Sequence, residues 1–341
     1  MKTKRSVGKA LVWIIAILVV AGVVLWFIPT NYLAEAPGIT GKLSQMVEVS
    51  QGHSPGRGKL LMVAVEIGQL NELLYLGAKL DPNVEILPLS YATGGLNMSQ
   101  YEQLNYAMMS GSKLSAEVAG ERLAGLNASV STVPGAQVEG VLKSGTAAGK
   151  LKAGDLIVAV GRYKVTSPTQ IRTLMQKHFT YGEIVPFTVI RHHQRIVIPI
   201  KTMHLKGDPA PAIGVLIGQE LDWHIPRPVT IKTENIGGPS AGMMFALEIY
   251  DQITGKNLAR GRVVAGTGEI SPNGTVSQIG GVAQKVITVH RAGATIFLCP
   301  QANYAKALHM AQSKGYHMTI YPVKTLTQAL KDIEVGTSAN A

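Results

Sequence analysis

The chain has 341 residues, 46% of them hydrophobic, which is enough to build two or three packed domains. Its formal charge of +11 is spread along the sequence with no clustered basic stripe, so nucleic acid is set aside as a partner. Cys299 is the single cysteine, which excludes an internal disulfide and leaves stability to packed cores.

The first nine residues carry Lys2, Lys4, Arg5 and Lys9 and no acid. Ala10 to Ile28 follows as a 19-residue uncharged run, with Trp13 and Trp26 near its two ends. This length matches a bilayer core, the tryptophans match interfacial anchors, and the basic flank predicts a cytoplasmic N-terminus with the remainder outside. A cleaved signal peptide is the competing reading. Its apolar core is normally shorter, and the one small-x-small site, Ala34-Glu35-Ala36, is followed by Pro37. Outside the basic tail, 28 basic residues face 21 acidic ones, a mild excess that suits a position beside anionic lipid or an anionic envelope polymer.

Residues 31–127 read as a small α/β juxtamembrane region. Strands are expected at Leu60–Ile67 and Val84–Leu89. A capping box at Ser99-Gln100-Tyr101-Glu102 opens a helix to about Met109, and a second helix is expected over Ser115–Leu126.

Residues 128–203 contain Lys143-Ser144-Gly145-Thr146-Ala147-Ala148, then Leu151-Lys152-Ala153-Gly154-Asp155-Leu156-Ile157. A helix is expected over Pro168–His178, followed by strands over Ile184–Arg191 and Arg195–Ile200 with a turn at His192-His193. This stretch resembles a PDZ domain of bacterial envelope proteases. The resemblance implies a mainly β domain that adds an extended peptide to a sheet edge. It places the peptide-receiving loop near Gly135, Ala136, Gln137 and Val138. That loop departs from the Gly-Leu-Gly-Phe type, so an internal segment of a substrate stands as an alternative ligand to a terminal carboxylate.

Residues 205–335 contain Gly238-Pro239-Ser240-Ala241-Gly242, Thr267-Gly268-Glu269-Ile270, Ile279-Gly280-Gly281 with Lys285, and His290-Arg291-Ala292-Gly293. A serine hydroxyl needs a base to take its proton and backbone donors to hold the oxyanion that forms. Ser240 opens a helical run whose first N–H groups are free for that purpose. Lys285, among Val282, Ala283, Val286 and Ile287, can act as the base if burial lowers its pKa from about 10.4 towards roughly 7 to 8. Taken singly, Ser240 also reads as an ordinary N-cap and Lys285 as a solvated helix residue.

The four blocks in this order resemble the α/β proteolytic domain of Lon-type serine peptidases. The resemblance implies Ser240 as nucleophile and Lys285 as general base. Thr267 would hydrogen-bond one of the two, Glu269 would support them, and Gly238 and Ala241 would shape the oxyanion site. Many Lon enzymes carry Lys-Asp before the Gly-Pro-Ser, whereas Ile236-Gly237 stand here. A triad of Ser240 with His290 or His224 is a second arrangement.

Ser144–Leu151 lacks the spacing and the Ser/Thr after lysine that a P-loop needs, and no His-Glu-x-x-His pattern accompanies the nine histidines. No cofactor, metal or ATP is therefore expected. The whole arrangement resembles the membrane-anchored PDZ and Lon peptidases of Gram-positive bacteria. It implies an exported endopeptidase acting on peptides or unfolded segments, with its assembly state open. A PDZ scaffold whose peptidase-like domain is inactive and a holdase for unfolded chains are the alternatives.

Overall fold

A computed structural model of the chain describes residues 2–205 and 210–335, with side chains from Val12 onward. Two units emerge: Val130–His224, and a second assembled from the residues on either side of it. This corrects the expected serial layout. The 31–127 region is not a domain of its own; it completes the sheet on which the peptidase-like blocks sit.

The N-terminal part of the discontinuous unit begins with α1 (Lys2–Phe27) and β1 (Pro29–Lys42). It continues through α2 (Leu43–Met46), β2 (Val47–Val49), β3 (Lys59–Asn71), α3 (Glu72–Ala78), β4 (Glu85–Pro88), α4 (Leu89–Thr93) and α5 (Met98–Leu123). Among the described residues no helix is long and apolar enough to cross a membrane. The side chains of the expected basic tail and of Ala10 and Leu11 lie outside the described residues.

The inserted unit holds β5 (Ser129–Thr132), β6 (Ala136–Val141), β7 (Leu156–Val160), β8 (Tyr163–Lys164), α6 (Pro168–His178), β9 (Ile184–Arg191), β10 (Gln194–Lys201), β11 (Val215–Gly218) and β12 (Leu221–His224). Its main sheet runs β10-β9-β7-β6-β11. The expected boundary at 203–205 falls inside this unit, because β11 pairs with β6 and closes the sheet. Ala136, Val138, Ile157 and Phe187 are fully buried in its core against Ile171 and Met175 of α6. Asp155 accepts two hydrogen bonds from the Arg191 guanidinium, at 2.6 and 2.7 Å, and one from the Lys152 amide. His192 and His193 both take positive φ in the tight turn between β9 and β10.

The chain returns through β13 (Val229–Ile231), α7 (Gly242–Thr254), β14 (Val263–Gly266), β15 (Glu269–Ile270), β16 (Val276–Ser277), α8 (Val282–Arg291), β17 (Ile296–Pro300), α9 (Tyr304–Ser313), β18 (Thr319–Val323) and α10 (Leu326–Val335). The six-stranded sheet runs β18-β17-β14-β3-β1-β4. β14 is parallel to both β3 and β17, and β1 is antiparallel to β3.

Strand alternation sorts the side chains onto two faces. Leu60, Met62, Val264 and Leu298 pack with α5, α7 and α10. Leu61, Val63, Ala265 and Phe297 pack with α8 and α9. A sheet covered on both sides favours a ligand site beyond the carboxyl ends of its parallel strands, and the chemistry-bearing residues gather past the end of β14.

Helix α5 also differs from expectation. It is one continuous helix, and its capping box is Asn97 with Gln100 rather than Ser99 with Glu102. Ser110-Gly111-Ser112 does not break it, because α5 packs closely on α7. A Cβ on Gly120 would stand 2.7 Å from the Ala246 carbonyl oxygen.

Candidate active site

The nucleophile loop is held from below by α5. Gly238 takes φ +84, and its amide donates to the Asn105 carbonyl oxygen at 2.9 Å. The Ser112 hydroxyl donates to the Pro239 carbonyl oxygen at 2.9 Å. Gly242, at the start of α7, leaves no room for a side chain, since a Cβ there would lie 2.5 Å from Ser112 Oγ. The Ser240 carbonyl oxygen accepts from the Gly268 amide at 2.7 Å and from Thr267 Oγ1 at 3.0 Å. The end of β14 thus clamps the serine from the other side.

Lys285 reaches the same point from α8. Gly281 caps that helix with φ +65, and its carbonyl oxygen accepts the Lys285 amide at 3.0 Å. Only 2% of Lys285 is exposed. Its Nζ lies 2.8 Å from Ser240 Oγ and 2.9 Å from Thr267 Oγ1. Thr267 uses its own hydrogen on the Ser240 carbonyl, so it accepts from the amine, and the nitrogen lone pair is then left to face the serine hydroxyl.

Burial lowers the Lys285 pKa to about 7, against an opposing pull from the Glu35 carboxylate. A solvated lysine is neutral in roughly one molecule in two thousand at pH 7. In this setting the neutral form is a major species.

The amides of Ser240 and Ala241 donate to no partner among the described residues and stand at the open end of α7, as oxyanion donors must. Gly238 is a correction to the expected oxyanion set: its amide is committed to Asn105. Glu269 is a second. It pairs in register with Ser277, and among the described residues no hydrogen bond joins its carboxylate to Ser240, Thr267 or Lys285. The His290 ring stacks on Tyr316 with centroids 3.7 Å apart, an arrangement that serves packing rather than a triad. Burial pushes the Cys299 thiol up to about 12, so it is inert at neutral pH.

The carboxylate that does act on Lys285 is Glu35, more than two hundred residues away on β1. A Cβ on Gly281 would stand 3.3 Å from Glu35 Oε2. Burial raises the Glu35 pKa, and so does Glu85, its direct neighbour across β1 and β4, while Lys306 and Lys285 oppose the rise. No local motif marks Glu35, and only the pairing of β1 with β3 brings it to α8.

A 330 Å³ cleft adjoins the nucleophile loop, lined among others by Gly38, Ile39, Val65, Tyr101, Asn105 and Gly237. β14 pairs only with Lys59–Met62, so β3 runs on past it with that edge unpaired among the described residues. A register shift in β1 between Pro37 and Thr40 widens the ladder at the same place.

In the inserted unit the expected peptide-receiving residues are misplaced. Gly135 packs onto β7, and Ala136, Gln137 and Val138 lie in β6, which is paired on one side with β7 and on the other with β11. A strand with both edges filled cannot accept a peptide. The free edges in the described part of this sheet belong to β10 and β11, and β11 follows a bend at Ile213-Gly214.

Residues 216–335 match the family model of the Lon protease (S16) C-terminal proteolytic domain. The chain is 28% identical over 183 residues to the Lon protease of Buchnera aphidicola subsp. Schizaphis graminum, covering 54% of this chain and 21% of the relative. It is 33% identical over 112 residues to the Lon protease of Brevibacillus choshinensis, 33% of this chain and 14% of that protein. The chain therefore spans about a fifth or less of the length of these curated relatives. The PDZ domain of the SdrC-like protein from Listeria innocua is a solved structure similar to part of the chain, at 25% identity. It covers 24% of this chain and 92% of that one, with a TM-score of 0.23. The C-terminal segment is thus similar in sequence to the proteolytic domain of Lon proteases.

Proposed function

We propose that the chain is a membrane-anchored, ATP-independent serine endopeptidase that works outside the cell with a Ser240–Lys285 dyad. The observation that carries this reading is a nearly inaccessible amine with its nitrogen 2.8 Å from a serine hydroxyl. Neutral Lys285 takes the Ser240 proton as Oγ attacks a peptide carbonyl, and the Ser240 and Ala241 amides hold the resulting oxyanion. The protonated lysine then returns its proton to the leaving amine. An acyl-enzyme forms, and water, deprotonated by the same lysine, releases it. The substrate main chain aligns along the unpaired edge of β3 next to the cleft, and the inserted unit captures a second stretch of peptide on β11.

Anchoring is supported by the uncharged run Ala10–Ile28 behind a basic flank and by the exposure of most large apolar side chains from Val12 to Ile28. Independence from ATP is supported by the lack of a phosphate-cradling motif in the 341 residues. Substrates are then short peptides, exposed tails or unfolded segments.

The pH dependence of kcat/KM on a quenched peptide tests the dyad. Lys285 must be neutral to act, so kcat/KM is expected to rise with pH through about 7 and then level off. Glu248 on α7 is also pushed up to about 7 by burial. The same limb must therefore survive in Glu248→Gln. A profile that is flat across neutrality, or one that loses its limb in Glu248→Gln, would count against lysine as the base.

A further inference from the structure

Helix α3 contributes no buried residue to any core. Leu73 and Leu76, with Leu80 just beyond the helix end, follow an i, i+3, i+7 pattern and are 38%, 51% and 86% exposed. An apolar stripe at helical spacing normally turns inward, and here it turns outward. The stripe is tied to the end of α1: the Glu72 amide donates to the Ile28 carbonyl oxygen at 2.9 Å, and Asn71 pairs with Pro29. Trp26, Phe27 and Ile28 at that end are exposed as well. Tyr75 of α3 stacks on Tyr32, and Lys79 Nζ lies 4.4 Å over the Tyr75 ring. Exposed leucines with aromatic rings and a lysine beside them form the pattern of a helix lying in a membrane interface.

A concave pocket of 380 Å³ separates α3 from β1 and β3, with Leu74, Gly77 and Ala36 in its walls. It shares Glu66 and Ile67 with the cleft beside the nucleophile loop. A chain leaving the lipid at α3 therefore meets two neighbouring depressions along β3, the second of them beside the nucleophile loop.

We propose that α3 is a lipid-surface docking element that seats the peptidase unit on the bilayer and favours substrates emerging from that bilayer. The occupant of the leucine stripe is the headgroup–acyl boundary, because the stripe continues the exposed apolar end of α1. The inference rests on the anchored-peptidase reading, and the experiment separates the two.

The full chain in a Cys299→Ala background receives a single cysteine, Leu80→Cys or Val19→Cys, labelled with an environment-sensitive fluorophore. Each form is reconstituted in phosphatidylcholine–phosphatidylglycerol vesicles. The residue 80 label is expected to be quenched by nitroxide lipids and shielded from aqueous iodide. Quenching by iodide without quenching by lipid overturns the proposal. Shielding from both also overturns it, since a second copy or a closed loop then covers the stripe. Lipid quenching at residue 19 alone leaves the anchor standing and removes α3. Lipid quenching at residue 80 alone keeps α3 and removes the spanning anchor.

A second readout uses the exposed pair Leu76→Asp and Leu80→Asp together. Cleavage of a lipid-tethered peptide is expected to fall about tenfold while cleavage of the same peptide free in solution is unchanged. Equal rates on the tethered peptide for variant and parent would contradict the role.

Discussion

Replacing Lys285 with methionine is expected to abolish peptide hydrolysis and to raise the melting temperature in the same protein. Without a base, kcat should fall by roughly two to four orders of magnitude or more, the usual contribution of a positioned general base. The stability gain has the same origin as the catalysis. In the unfolded chain Lys285 titrates near its ordinary value, and in the fold burial brings it to about 7. Folding at neutral pH must therefore displace a proton, at a cost of about 4 kcal/mol. Between the two pKa values the unfolded state holds the extra proton, so this penalty shrinks as pH rises above neutrality. Methionine fills a similar volume without charge but gives up the hydrogen bonds to Ser240 and Thr267. A net gain of about 2 kcal/mol is expected. Thermal unfolding of parent and variant at neutral and alkaline pH measures it, and the difference should narrow as pH increases. A lower melting temperature for the variant would mean that Lys285 is a structural ion rather than a buried, neutralised base.

Gly281→Ala is expected to reduce kcat/KM about a hundredfold while Gly293→Ala is not. Both glycines hold positive φ, +65 and +73, so alanine at either position adds backbone strain of about 1 to 2 kcal/mol. The surroundings separate them. A Cβ at Gly281 would stand 2.6 Å from Val65 Cγ1, and a Cβ at Gly293 would meet nothing within 4 Å. Gly281 also accepts the Lys285 amide, so relief of the clash moves the base away from Ser240 Oγ. A displacement near 1 Å costs on the order of a hundredfold in rate. Steady-state kinetics beside melting curves check the pair: a similar loss of stability with very different losses of activity is the expected outcome. Equal activities would show that the start of α8 does not set the position of Lys285.

The proposed pair of Ser240 and Lys285 was legible in the sequence through the order of the four blocks, since each residue taken singly reads as an N-cap or a solvated lysine, although the local signals fit the chemistry. Glycines allow close approach before Ser240, a helix opens at its amide, and apolar neighbours surround Lys285. Glu35 was not legible, since its effect on Lys285 arises from strand pairing between β1 and β3. In the sequence it reads only as the middle of Ala34-Glu35-Ala36. The loss of Gly238 from the oxyanion set has a similar cause, because its amide is taken by Asn105 on a helix more than a hundred residues earlier.

The domain layout was misread for a topological reason. Local patterns mark strands but do not say which sheet a strand joins, so β1, β3 and α5 looked like a separate region although they finish the peptidase sheet. The peptide-receiving loop was misplaced in the same way. β6 carries the expected residues but has both edges filled, and the open edges in the described sheet belong to β10 and β11, about sixty and eighty residues on. The helix α5 shows a smaller version of the limit: Ser110-Gly111-Ser112 weakens a lone helix, and tertiary packing on α7 overrides that weakness.

The most direct test of the account is covalent labelling by a peptidyl fluorophosphonate, followed by peptide mass mapping. One adduct is expected on Ser240 in the parent protein, forming faster as pH rises through about 7, with labelling strongly slowed in Lys285→Met and absent in Ser240→Ala. An adduct on another residue, or peptide hydrolysis that persists in Ser240→Ala, would contradict it.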